Sequence, residues 1–269
     1  MTWSTTPDAL AFLDVAGAHL AGDRVAHDPL LTEADHWSSL EPPREDGLFG
    51  WWADDDTVTS ACVLLPDHAL LCSRLTGEQA VALAGLLPGA GTWGIDARDA
   101  ETVTKALAGA GHDVRRLAER HLLRLEGPVR PRPAPPGRAR RADERDLPLL
   151  HRWFAQFRAR HPEDTSDREF VVDRPLADGG ITLREVDGDP VAMASRTPFV
   201  AAATRLGLAF QPTAGHEHAD AAREAAATDA AASGRGEVLA LSSSDEQTEA
   251  LNALGFVPRA RRVVLGLRA

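Results

Sequence analysis

Apolar positions recur with two periods along this chain, and the alternation between those periods sets out its elements. After Thr6-Pro7, the residues Leu10, Phe12, Leu13, Val15 and Leu20 repeat at helical spacing, and a proline suits a first helical turn. A second helix is predicted over residues 29–40. Residues 48–52 and 58–65 read as two strands about a turn of consecutive aspartates, with a third strand at 68–75. Thr76, three residues ahead of Gln79, predicts a capped helix from 77 to 87. A helix at 100–110 and a strand at 114–125 complete this half.

Residues 127–137 break the pattern with five prolines in eleven residues, which suits neither a helix nor a central strand. The chain thus divides in two, with domains at 1–126 and 139–269 and a stiff linker at 127–138. Beyond the linker, Leu149, Leu150, Trp153, Phe154 and Phe157 form one apolar helical stripe, which favours a core place for Trp153. A helix is predicted at 167–176, then a hairpin of strands 180–186 and 191–199 about Asp187-Gly188. A strand ending at Phe210, a loop from Gln211 to His218, an alanine-rich helix, a strand at 238–241 and a short helix ending in Leu254-Gly255-Phe256 close the order.

Composition narrows the class. With 43% hydrophobic and 26% charged residues the chain reads as globular, and it holds no apolar run near the ~20 residues of a membrane span. Its start lacks a basic-then-apolar leader, and two cysteines are too few for a disulfide framework, so a cytoplasmic protein is expected. Residues 1–126 carry 9 basic and 20 acidic side chains, which argues against broad wrapping of nucleic acid. Tyrosine is absent.

A strand that feeds a loop and then a helix gathers free backbone N–H groups at one spot, a setting suited to an anion. This order, with Leu-Gly-Phe at its end, resembles the GCN5-related N-acetyltransferase superfamily in its two-domain form. The resemblance implies an α/β fold of two tandem units, each a mixed, mainly antiparallel twisted sheet flanked by helices. It also implies a splayed strand pair beside Leu208, Ala209 and Phe210 that takes the donor arm. In that family the loop pattern Gln/Arg-x-x-Gly-x-Gly/Ala wraps the coenzyme pyrophosphate. The matching residues here are His216, Glu217, His218, Ala219, Asp220 and Ala221, and only Ala221 conforms.

Two carboxylates, Glu217 and Asp220, thus stand where phosphates would lie. A like-charge pair about 4 Å apart costs about 4 kcal/mol at an effective dielectric near 20, roughly a thousandfold in affinity. The family's tyrosine acid is replaced by Leu251. The resemblance then implies amide-forming transfer to a small-molecule amine. The donor would be other than coenzyme A, such as aminoacyl-tRNA, with acetyl-CoA and a non-catalytic binding role as alternatives. Catalytic candidates are His216, Glu217, His218 and Ser243, and Arg138, Arg140 and Arg141 are candidate contacts to the tRNA acceptor end. Ser195, Arg196, Arg205 and Trp153 are candidate substrate contacts. His216-x-His218-x-Asp220 also permits a metal reading, ranked below a solvated loop.

Overall fold

The computed structural model describes residues 2–162 and 164–268, in which twelve strands and eight α-helices form two compact units. The first unit holds the chain up to Leu122, Ser242–Ser244 and the residues from Pro258 onward; the second holds Leu123–Leu241 and Asp245–Val257. The division therefore departs from a simple cut at the prolines, because residues 258–268 return to the first unit.

In the N-terminal unit, β1 (Trp3–Thr6) is followed by α1 (Ala9–Ala21), α2 (Asp28–Ser38), β2 (Leu48–Asp54), β3 (Thr57–Leu64) and β4 (Leu70–Cys72). Then come α3 (Gly77–Leu86), β5 (Thr92–Asp96), α4 (Ala100–Gly109) and β6 (Asp113–Leu125). The pattern of polar and apolar residues missed β1, whose four residues pair antiparallel with β2. The β2–β3 turn places Asp55 and Asp56 at φ 43° and 66°, the left-handed geometry of a tight hairpin, which aspartate tolerates. Helix α3 begins as its sequence predicts: Thr76 accepts from the Gln79 N–H at 3.2 Å and Gln79 Oε1 accepts from the Thr76 N–H at 2.8 Å. Fully buried Trp93, Leu70, Leu83, Ile95 and Leu107 form the core with Val263 and Leu265. Losing a side chain the size of Trp93 from such a core costs about 3–5 kcal/mol.

In the C-terminal unit, β7 (Arg138–Arg141), a 3₁₀ turn and α5 (Leu147–Arg160) precede a π-helical turn at Glu169–Asp173, α6 (Arg174–Ala177), β8 (Ile181–Val186) and β9 (Asp189–Arg196). Next come β10 (Ala203–Phe210), α7 (Glu217–Ala232), β11 (Glu237–Ser242) and α8 (Asp245–Leu254), after which β12 (Phe256–Arg268) belongs to the first unit from Pro258 onward. The single helix predicted over 167–176 is thus a π-helical turn running into a short α-helix. Both units repeat one element order, and the second unit's sheet runs β11-β10-β9-β8-β7, parallel only at β10–β11. Helix α7 is alanine-rich because six of its alanines are buried, and small side chains let it lie close to the sheet.

The proline-rich segment is not a free spacer. Its Arg130 N–H donates to Leu254 O at 2.9 Å, its Arg132 N–H to Glu224 at 3.3 Å, and Pro135 O accepts from Arg184 at 2.5 Å. It is laid down on the C-terminal unit.

Candidate functional site

The strands β10 and β11 part beside Leu208, as the family resemblance implies. β10 pairs with β11 only at Ala203–Glu237, Thr204–Val238 and Arg205–Leu239, although β10 runs on to Phe210 and β11 to Ser242. On its other edge the β10–β9 register slips between Leu206 and Ala209. Gly207 makes that bulge possible, since a Cβ there would meet Ser195 Oγ at 2.9 Å. Ser195 is buried and its hydroxyl reaches Leu208 O at 3.4 Å, so it braces the bulge instead of facing a substrate. The result is a notch beside Leu208, bounded at its end by Phe210, which packs edge-on against Phe157 at 6.2 Å.

The loop between β10 and α7 departs from an open anion cradle. The Gln211 side chain is buried, and its Oε1 accepts from the His218 N–H at 2.9 Å and the Ala219 N–H at 3.1 Å. Its Nε2 donates to Ala214 O at 3.1 Å. The Glu217 carboxylate curls back onto the His216 N–H at 3.0 Å, and bonds to backbone N–H groups, its own first, hold it below the usual carboxylate range. Gly215, at φ +90°, is required there, because a Cβ would collide with the Glu217 carboxylate. The Asp220 N–H is already bonded to His216 O at 2.8 Å. The amides that would grip a phosphate are therefore satisfied from within the chain. Arg160 fixes the loop from outside: its guanidinium stacks over Phe210 at 5.1 Å and donates to the carbonyls of Gln211, at 3.2 Å, and of Pro212.

The charges are less uniform than sequence spacing implies. Asp220 is compensated by Arg223 at 2.8 Å, which leaves Glu217 as the loop carboxylate without a guanidinium partner among the described residues. His216 is highly exposed, with its Nε2 3.7 Å from Asp220. His218 is half-buried and its Nδ1 has no hydrogen-bond partner among the described residues.

Other predicted site residues are committed elsewhere. Arg138 pairs with Glu185 at 3.0 Å; Arg140 bridges Glu185 at 2.5 Å and Asp146 at 2.6 Å; Arg141 pairs with Asp229 at 3.0 Å. The basic run thus cross-links β7 to its neighbours and does not present a row of open phosphate contacts. Arg196 is buried between Asp178, at 2.7 Å, and the Phe199 ring, at 5.0 Å. The Arg205 N–H donates to Thr197 Oγ1 at 2.9 Å in the paired part of β10, away from the notch. Trp153 lies in the core under α5, and Leu251 is buried in α8. Ser243 is exposed beyond β11, beside Ser242, whose Oγ donates to Ser244 O at 2.8 Å; residues 242–244 group with the N-terminal unit. No group of three or more metal-binding side chains is placed to hold an ion among the described residues, so the His216–His218–Asp220 spacing does not gather into a metal centre.

Sequence reasoning missed Gln211 and Arg160. Gln211 precedes a proline at a strand end, which reads as an ordinary turn; only the fold shows its oxygen reaching two amides of the helix start. A third missed feature is the short contact of His151 Nε2 with Asp173 Oδ1, 2.6 Å, between α5 and the π-helical turn.

Neither a protein-family model nor a curated protein matches this chain by sequence. Solved structures do match its fold. A GNAT-family acetyltransferase from Colwellia psychrerythraea aligns over 100% of both chains at 12% identity, with a TM-score of 0.58. A GCN5-related N-acetyltransferase from Sphaerobacter thermophilus aligns over 98% of this chain and 94% of its own, at 15% identity and a TM-score of 0.55. A tandem GNAT protein from the clavulanic acid biosynthesis pathway covers 98% of this chain and 97% of its own, at 16% identity and a TM-score of 0.50. Among the described residues no helix is long and apolar enough to cross a membrane.

Proposed function

On this tandem GCN5-related N-acetyltransferase fold, we propose that the C-terminal unit is an acyltransferase that forms an amide on a small-molecule amine. Its acyl donor brings no pyrophosphate to the start of α7. The observation that carries this reading is Gln211 Oε1, which already occupies the His218 and Ala219 amides. Displacing it would break two hydrogen bonds worth about 0.5–1.5 kcal/mol each, in front of a Glu217 charge that opposes phosphate. Together these disfavour the ordinary coenzyme, while the notch beside Leu208 still offers strand-edge amides to an acyl carbonyl.

The chemistry asks little more of the chain. The amine attacks the acyl carbonyl, a strand-edge N–H stabilises the oxyanion, and a base takes the amine proton; collapse of the intermediate breaks the acyl–oxygen bond and releases the donor's alcohol, which leaves with that proton. His218 is the base this arrangement favours, since Glu217 is held as a weak base by the amides it accepts from. An aminoacyl ester of tRNA meets the condition on the donor. Arg138, Arg140 and Arg141 are spent on carboxylates, so its backbone would be held by other cations.

Acetyl-CoA remains the second reading, favoured by the fold and by the retained strand notch. Calorimetric titration separates the two. Acetyl-CoA should give no heat with the wild-type protein in the micromolar range, while charged tRNA with a panel of amines should give amide product. Micromolar binding of acetyl-CoA would overturn the reading. Failure of both donors would point to a non-catalytic domain.

A further inference from the structure

The N-terminal unit contains a second strand notch, and it is filled. β4 and β5 run parallel and are in register only at Leu70–Trp93 and Leu71–Gly94. Where they part, the backbone carbonyls are claimed by a side chain from far along the chain. Arg262, on β12, donates from Nη2 to Cys72 O at 2.7 Å and to Gly94 O at 2.6 Å, and from Nη1 to Ala26 O at 3.2 Å. The residue is 4% exposed. Its partner across the strands is Asp96, but that carboxylate is held by Arg98 at 2.6 Å, and Arg262 has no ion pair among the described residues.

A guanidinium buried without a carboxylate is costly unless fixed dipoles replace water around it. Here three carbonyls from three segments do so: the connection before α2, β4 and β5. Carbonyl oxygens converging on one point make a cation site, and the planar fork of arginine spans them as the point charge of lysine would not. Cys72, beside it, is kept as a neutral thiol, its pKa pushed up to about 12 by burial, so it supplies no counter-charge.

We propose that the β4–β5 notch is a carbonyl-lined cation site with Arg262 as its built-in occupant, closed to an acyl group and selective for guanidinium-type cations. This holds whichever donor the C-terminal unit uses. If Arg262 is what fills the notch, Arg262→Ala should leave a site that a free alkylguanidinium enters. The test is thermal unfolding of wild type and Arg262→Ala in millimolar ethylguanidinium chloride, against ethylammonium chloride and sodium chloride at equal ionic strength. The variant should lose about 5 °C in Tm and regain part of it, saturably, with ethylguanidinium alone, while the wild type should not respond. Should Arg262→Ala fail to fold, its refolded yield should rise only with ethylguanidinium. Arg262→Lys should fold and show no rescue, because its ammonium blocks the site. Equal effects from all three salts, or an unaltered Tm in Arg262→Ala, would overturn the proposal.

Discussion

The two units repeat one element order yet close their strand notches by opposite means. In the N-terminal unit a cation, Arg262, sits inside the notch on backbone carbonyls of β4 and β5. In the C-terminal unit the β10–β11 notch holds no such plug among the described residues, and closure falls on the helix start, where neutral Gln211 takes the amides. The difference is one of reversibility. Extracting a buried guanidinium from three carbonyls means breaking charge-assisted bonds at about 1.5–3 kcal/mol each, whereas swinging out Gln211 gives up three neutral ones, to His218, Ala219 and Ala214, at about 0.5–1.5 kcal/mol each. The first notch is locked; the second is only latched.

The largest expected effect tests the lock. Arg262→Met should cost about 3 kcal/mol in urea unfolding, because two carbonyls inside the notch lose their donors at about 1–3 kcal/mol each. A variant as stable as wild type would erase the contrast between the notches.

Next in size is the latch. Gln211→Ala should cost about 1–2 kcal/mol and, combined with Glu217→Gly, should raise acetyl-CoA affinity by at least tenfold in calorimetry. No gain in the double variant would mean that the notch itself, and not the helix start, excludes the coenzyme.

The pH dependence is expected to be smaller. Burial lowers the pKa of His27, and of His19 stacked on it at 5.4 Å. Both therefore gain their protons at lower pH in the folded chain than in the unfolded one, which takes them up first, below about pH 6.5. Stability is complete above that value and falls as the pH drops, by at most about 1.4 kcal/mol per pH unit for His27. Urea midpoints between pH 5 and 8 should show this slope, and His27→Gln should flatten it.

The smallest effect concerns surface charge. The Arg141–Asp229 pair is exposed at 60% and 49%, so Arg141→Ala should cost less than about 1 kcal/mol. If the ion-paired arginines make no phosphate contacts, the salt dependence of any tRNA binding should be unchanged in Arg138→Ala/Arg141→Ala.

Where local chemistry sufficed, the sequence was readable: the Thr76–Gln79 cap and the Asp55-Asp56 and Asp187-Gly188 turns depend on neighbours within a few residues, whereas the parting of strands beside Leu208 was an expectation from the family resemblance. The short strand β1 escaped because four residues give too little period to detect. Arg262 escaped for another reason. Its partners are carbonyls some 170 to 240 positions away, and a carbonyl is the same in every residue. Charged runs misled for a related reason, since Arg138 and Arg140 looked free until Glu185 was brought alongside.

The return of β12 to β5 also bears on how the protein is made. Val263 pairs with Ile95, and Arg262 reaches Ala26, so a nascent chain halted after residue 122 lacks both the strand that pairs with β5 and the cation that ties its notch. Translation proceeds at roughly 5–20 residues per second, so the first unit waits seconds for its last strand while the second is already being synthesised. During that interval β5 presents an unpaired edge, and a chaperone that shields such edges would have its longest engagement with the half of the protein made first.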